Sequence, residues 1–230
     1  MTWSKSKLKT FRECSQKYKM AYIEKLPQEK VEALNKGIIL HDFFNKFYDY
    51  FPENDINKSI IHAAKQLNIS EEFQNQYEKH VLSFIDFNEK HKEFNNPIIR
   101  EKKYVMENWT GIVDRVDSYK NGYILTDYKT SHGTSIDEYL DELLLYAHML
   151  REKEGINIIA VAIFFTENNC FVIKEITNEE IDSNLEVMEM EKEEYDKKII
   201  ENDFEYVPGY YCKWCGYFKI CKAKIGYKKE

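Results

Sequence analysis

Over the first ninety or so residues, apolar positions recur mostly at helical spacing, and from Pro97 they recur at strand spacing. Ser4 or Ser6 is a good N-cap, which predicts a helix carrying Leu8, Phe11, Tyr18 and Tyr22 on its apolar side. A second helix is expected over 32–51, with Leu34, Ile38, Phe43, Phe44 and Phe47 turned inward, and two more over 56–68 and 70–94. Beyond Pro97, 98–106, 109–119 and 123–130 read as three strands, and Asn121-Gly122 between the last two is a strong hairpin signal. Segment 135–153 is an amphipathic helix with Ile136, Leu140, Leu143, Ala147 and Leu150 inward, and Gly155 is placed to stop it. Segments 158–166 and 170–176 are two further strands, the first so apolar that a central position is expected. A last helix follows over 179–201, and the tail from Pro208 is cysteine-rich without a regular pattern. This order predicts an α/β fold in which helices sandwich a sheet and a helical crossover leads to strand 158–166.

Composition narrows the picture. The chain has 230 residues, enough for one full core and at most two domains, and four Pro and eight Gly leave no Pro/Gly-rich linker. No apolar run approaches the roughly 18 residues that a membrane span needs. The first residues lack the apolar stretch of a signal peptide, so a cytoplasmic protein is expected. In that compartment cysteines serve as metal ligands or free thiols more often than as disulfides. The net charge of −7 speaks against a nucleic-acid partner, but the distribution does not. Residues 1–30 hold eight Lys/Arg against three Glu, and residues 206–230 hold six Lys against one Glu, so each end carries about +5. Two solvated tails would look the same; if the ends meet, they make one basic surface able to hold phosphates.

The expected central strands carry charges that a core does not explain. In Tyr123-Ile124-Leu125-Thr126-Asp127-Tyr128-Lys129-Thr130, alternation puts Leu125, Asp127 and Lys129 on one face. Burying an acid and a base is costly unless they are paired or bound to a metal. The hairpin brings Asp114, from the preceding strand, alongside. Two carboxylates converging on one point make a site for Mg²⁺ or Mn²⁺, and Lys129 would orient a water or steady charge on a phosphate. The bland alternative is a salt bridge from Asp114 to Arg115 or Lys129, which explains burial less well because buried ion pairs stabilise poorly.

The stretch Gly111-Ile112-Val113-Asp114-Arg115-Val116-Asp117, followed by Thr126-Asp127-Tyr128-Lys129-Thr130-Ser131, resembles the PD-(D/E)xK nuclease core, in particular its RecB-type branch. Three more stretches are similar to motifs of that branch: Ser4-x-Ser6-x-Leu8-x-x-Phe11-x-x-Cys14-x-x-x-Tyr18, Gly37-Ile38-Ile39-Leu40-His41, and Glu142-Leu143-Leu144-Leu145-Tyr146-Ala147. The resemblance implies a restriction-endonuclease-like core with a mixed central sheet, and metal-dependent DNA cleavage. It implies Asp114 and Asp127 as metal-binding acids, Lys129 as the catalytic lysine, His41 as a histidine ligand and Tyr146 as a residue that positions the substrate strand. Glu101 matches an acidic position near the metal. Two positions depart from the pattern: Glu142 stands where the family has Gln, adding a carboxylate, and Ser15 stands where it has Pro. Without the motif context His41 would read as a core histidine, and Glu142 with Tyr146 as a helix-surface pair. His62, His80, His91, His132 and His148 match nothing and read as structural or solvated.

Five cysteines occur, at 14, 170, 212, 215 and 221. Cys212, Cys215 and Cys221 cluster in the tail and need a fourth ligand, for which Cys14 is the candidate; spacing alone allows a 4Fe–4S cluster or an all-thiolate zinc site. One distant cysteine plus three clustered ones resembles the iron–sulfur RecB-type nucleases, including the AddB nuclease domain and the CRISPR-associated exonuclease of the fourth Cas family. That layout implies an iron–sulfur lobe from residues 1–30 and 203–230, a helical region over 31–95 and a nuclease core over 96–202, within one nuclease domain of 230 residues. Cys170 lies in an apolar strand and reads as a small core residue. Joining the ends would bring both basic segments together, so Lys213, Lys219 and Lys222 are expected to contact single-stranded DNA, with Trp214, Tyr217 and Phe218 either stacking on bases or covering the cluster. The resemblance further implies exonuclease action on single-stranded ends, alongside a CRISPR adaptation integrase or in phage or plasmid recombination. A non-catalytic DNA-end-binding protein is the rival from another class.

Overall fold

The computed structural model describes residues 2–28, 32–69 and 71–221, so Lys222 of the expected DNA patch lies outside the described residues, as does the Leu34 side chain. The helices are α1 (Lys5–Glu13), α2 (Ser15–Tyr18), α3 (Glu32–Phe47), α4 (Ile56–Gln66), α5 (Glu71–Lys90), α6 (Leu140–Glu154) and α7 (Asn178–Ile200). The strands are β1 (Ile99–Val105), β2 (Thr110–Tyr119), β3 (Gly122–Lys129), β4 (Ile158–Phe165) and β5 (Cys170–Glu175). They form one mixed sheet in the order β1-β2-β3-β4-β5. β2 and β3 pair antiparallel, β3 and β4 parallel through the α6 crossover, and β4 and β5 antiparallel. Two compact units divide the chain, one of Met1–Leu34, Met106–Thr110 and Glu186–Glu230, the other of Asn35–Val105 and Gly111–Leu185.

In the second unit, strand alternation sorts the side chains by face. Ile124 and Tyr128 of β3, with Ala160, Ala162 and Phe164 of β4, pack against Leu40, Phe43, Phe44 and Phe47 of α3 and Phe84 and Phe87 of α5. Phe44 stacks on Phe84 with centroids 4.2 Å apart, and each such buried side chain contributes about 1.5–3 kcal/mol. Ile38, expected to point inward, is 55% exposed. The inward stripe runs through positions 40, 43, 44 and 47, and a residue two before Leu40 falls on the opposite side of the helix. α6 is buried on several sides at once, with Leu143, Leu145, Ala147, Met149 and Leu150 all fully covered. Gly155 ends it at φ 65°, its N–H bonded to the Arg151 carbonyl at 3.1 Å.

The hairpin turn sits one residue earlier than Asn121-Gly122 suggests. Tyr119 pairs with Gly122, leaving Lys120 and Asn121 as the turn residues, with Lys120 at φ 48°. Gly122 answers a different need, because a Cβ there would lie 2.9 Å from the Asn157 carbonyl oxygen and from Ile159.

Arg115 lies on the helix-packed face and is 1% exposed. It does not pair with Asp114. Its Nε and Nη2 donate to Asp117 at 2.5 and 2.9 Å, and its Nη1 donates to the Tyr128 hydroxyl at 3.0 Å and to that of Tyr48. Tyr48 in turn donates to Asn88, whose amide donates to the Phe84 carbonyl at 2.7 Å. Burial opposes the guanidinium charge, but Tyr128, Tyr48 and Asp117 outweigh it and hold the proton firmly. Removing one partner of such a pair leaves a buried charge uncompensated. Asp117→Ala is therefore expected to cost about 3–5 kcal/mol in chemical denaturation. A loss below about 1 kcal/mol would show that the tyrosine hydroxyls alone satisfy Arg115.

In the first unit, Trp3 pairs with Trp109 as an isolated bridge and stacks on Tyr18 at 5.2 Å. Phe11 stacks on Tyr195 at 4.3 Å. Ser4 caps α1 by accepting the Lys7 N–H at 3.3 Å. The expected N-terminal helix is broken at Cys14, which is extended at φ −167° and ψ 105°. Its sulfur accepts the Lys17 N–H at 3.4 Å and so caps α2 in the way a serine hydroxyl would.

Candidate metal centre and cysteine cluster

The charged residues on the other face of β2 and β3 gather near the end of the sheet. The β2–β3 register runs from Tyr119–Gly122 to Arg115–Thr126, and just beyond its last pair Asp114 reaches across to β3 and lies close enough to Asp127 for their charges to interact. Asp114, 7% exposed, accepts the backbone N–H of Tyr128 at 2.8 Å. α3 brings in His41. Its Nδ1 lies 3.0 Å from Glu101 Oε1 and 3.4 Å from Asp114 Oδ2, and its Nε2 lies 3.1 Å from the Tyr128 carbonyl. Glu101 sits at φ 39° within β1, a left-handed conformation that costs a non-glycine residue about 1–3 kcal/mol. The strain coincides with the residue whose carboxylate meets His41.

Beside this group, the Lys129 ammonium lies 2.7 Å from Asp127 Oδ2 and 3.7 Å from Glu142 Oε2. Tyr146 donates to the other oxygen of Glu142 at 3.0 Å. Tyr146 is held from behind by Gly111, where a Cβ would come within 2.3 Å of its ring. The structure thus brings His41, Glu101 and Asp114 together, with ligand atoms within 4.8 Å of one another, while Asp127 stands next to them in contact with Lys129.

The electrostatics of the site are those of crowded carboxylates. Burial pushes the Asp127 carboxyl up to about 6; the Asp114 charge adds to the rise while Lys129 and His41 oppose it. Burial opposes charge on His41, but Asp114 and Glu101 overcome this and raise it to about 11. Burial likewise opposes charge on Lys129, which Asp127, Glu142 and Asp114 outweigh, so the ammonium stays protonated. The donor set of one imidazole nitrogen and several carboxylate oxygens suits a divalent cation such as Mg²⁺ or Mn²⁺. Asp127 Oδ2 fits that reading: it is buried and accepts no well-directed hydrogen bond although the Lys129 ammonium is close.

The four cysteines of the expected cluster all lie in the first unit. Cys14 is buried, and Cys212, Cys215 and Cys221 are half-buried. Cys212 Sγ accepts the Gly209 N–H at 3.3 Å, as Cys14 Sγ accepts that of Lys17. Tyr211 donates to the Glu13 carbonyl at 2.8 Å, bringing the tail to the residue before Cys14. Backbone N–H groups aimed at sulfur suit thiolate ligands of a cluster or a metal. Tyr217 is buried, whereas Trp214 is 60% exposed, with the Lys213 ammonium 4.0 Å from its ring centroid. Lys219 is exposed. Cys170 is half-buried on β5, opposite Phe165, and less enclosed than a core residue.

The Arg115–Asp117–Tyr48–Tyr128 network is not among the expectations from the sequence; its one signal is the same two-residue spacing of opposite charges that marks Asp127 and Lys129. Of the two roles expected for His80, structural or solvated, the structure gives the structural one: it is 2% exposed, with Nδ1 2.7 Å from Thr166 Oγ1.

Among the described residues, no helix is long and apolar enough to cross a membrane. A comparison with curated proteins gives no match. A model of the PD-(D/E)XK nuclease superfamily matches residues 2–222. Members of that family are in general divalent-metal-dependent nucleases, and its core accommodates the five-stranded mixed sheet with flanking helices seen here. With the match running over nearly the whole chain, this protein belongs to the PD-(D/E)XK nuclease superfamily.

Proposed function

We propose that this chain is a divalent-metal-dependent deoxyribonuclease that trims single-stranded DNA from an end. The observation that carries the reading is the meeting of His41, Glu101 and Asp114 beside the Asp127–Lys129 pair. His41, Glu101, Asp114 and Asp127 hold Mg²⁺ or Mn²⁺; when bound, such an ion makes water a nucleophile near neutral pH and offsets charge on the phosphate. Lys129, kept protonated by its acidic neighbours, donates to a phosphate oxygen as negative charge builds there. Tyr146 donates to Glu142, whose carboxylate 3.7 Å from Lys129 adds to the negative charge that keeps the ammonium protonated. Preference for single strands and for ends follows from the likeness to the RecB-type branch. In the first unit, Lys213 and Lys219 contact phosphates and Trp214 offers a ring for base stacking. Cys14, Cys212, Cys215 and Cys221 hold a 4Fe–4S cluster, with structural zinc as the alternative occupant of the same thiolates. The fitting biological setting is trimming of fragments beside a CRISPR adaptation integrase; a phage or plasmid recombination exonuclease would have the same build.

The test is cleavage of end-labelled single strands, with the 5′ or 3′ end blocked in turn, in Mg²⁺, Mn²⁺ or EDTA. Progressive shortening from one free end, absent in EDTA, is the expected result. Cutting of circular single strands would replace the exonuclease by an endonuclease. Binding without cleavage in either metal would leave a DNA-end-binding protein.

A further inference from the structure

We propose that Lys36 and Lys79 form a phosphate clamp for the substrate strand, held ready by Glu167, at the end of the sheet where β3 delivers Lys129. The inference rests on the nuclease reading above and adds a second point of contact with the DNA backbone. Lys79 Nζ lies 3.0 Å from Glu167 Oε1 and Lys36 Nζ 3.6 Å from Glu167 Oε2, so two cations share one carboxylate. The third neighbour, His80, places Nε2 3.1 Å from Glu167 Oε2. Burial pushes its imidazole down, and Lys36 and Lys79 add to this against the opposite pull of Glu167, so the imidazole favours its neutral form. The cluster is left with one net positive charge in a chain whose total is −7.

Its location is fixed by short links. His80 Nδ1 meets Thr166 Oγ1 at 2.7 Å, and the backbone N–H of Thr166 donates to the Lys129 carbonyl at 2.9 Å. Lys36 precedes Gly37, which faces Thr130 at 3.9 Å from the position a Cβ would take and lies one turn before His41 on the same helix. Glu167 follows β4, whose Phe165 pairs with Lys129. This is the carboxyl end of the parallel β3–β4 pair, the side of an open α/β sheet where ligands bind.

Glu167 acts as a stand-in for phosphate. Its carboxylate keeps the two ammonium groups converged in the absence of DNA. The Lys79 side chain is 65% exposed and that of Glu167 32% exposed. An ion pair as exposed as Lys79–Glu167 is worth at most about 1 kcal/mol, so Lys79 turns from Glu167 to an arriving phosphodiester at little cost, while Lys36, 27% exposed, stays close to its place.

The experiment measures binding of a labelled single strand to the full chain in EDTA over a series of NaCl concentrations. Lys36→Ala/Lys79→Ala is expected to weaken binding about tenfold and to make the log–log salt slope shallower by about 1.4, at roughly 0.7 per phosphate charge on a single strand. Lys36→Arg/Lys79→Arg should restore both, which a folding defect would not allow. Glu167→Gln should tighten binding about threefold, since it removes the competing charge. Unchanged affinity and slope in the alanine variant, or equal loss in the alanine and arginine variants, would overturn the clamp while wild-type cleavage in Mg²⁺ keeps the nuclease reading standing. A wild-type protein that neither binds nor cleaves would remove both.

Discussion

Asp114→Asn is expected to reduce metal-dependent DNA cleavage by about a thousandfold or more, with the folded state retained. The expectation follows from the two jobs of one carboxylate. One is structural: Asp114 accepts the Tyr128 N–H at 2.8 Å, and an asparagine oxygen of the same shape can still do so. The other is electrostatic: its charge faces His41 at 3.4 Å, next to Glu101 and Asp127. Asparagine keeps the first and loses the second. Manganese affinity, read by calorimetry or by the electron-spin resonance of free Mn²⁺, should fall with it. Lys129→Ala is the companion variant. It should depress cleavage comparably while Mn²⁺ still binds, because Lys129 supplies no ligand. Cleavage by Asp114→Asn within tenfold of wild type would take the metal site away from this position.

Cys215→Ser is expected to abolish the broad visible absorbance of an iron–sulfur cluster and to lower the melting temperature by about 10 °C. A tie between Cys14 and the 212–221 segment closes a loop of about 200 residues, and loop-closure entropy assigns such a link up to about 5 kcal/mol. Cys14 is a poorer choice for the test, because its sulfur also caps α2 and its loss would perturb the helix junction directly. A colourless wild-type protein containing zinc would change the occupant and keep the tie. A colourless, metal-free wild type that melts with Cys215→Ser would dissolve the tie itself.

How much of this was legible in the chain depended on whether a local rule spoke. Charges two apart on an apolar strand pointed to Asp127 and Lys129, because alternation leaves them nowhere else to face. Gly155 announced the end of α6, and a helix between two apolar strands predicted the crossover into β4, whose parallel partner the structure identifies as β3. Ile38 misled because a single apolar residue has no phase; only the set 40, 43, 44 and 47 defines the stripe. The turn was displaced because Gly122 is needed for the close approach of Asn157 and Ile159, a contact made by a distant strand and invisible to turn statistics. The backbone of Glu101 gave no warning, since glutamate carries no preference for positive φ and β1 reads as an ordinary charged strand. Its place beside His41 needed the helix from the first half of the chain and the sheet from the second.

Tyr128 joins the buried layer to the candidate metal site. Its hydroxyl accepts from Arg115 in the layer under α3 and α5, while its main-chain N–H and carbonyl meet Asp114 and His41. A substitution that shifts this ring reaches the cation-binding groups without ever touching DNA. Directed evolution aimed at metal preference should therefore return hits in the aromatic interior, and a mutational scan scored by turnover alone would misassign them as contact residues.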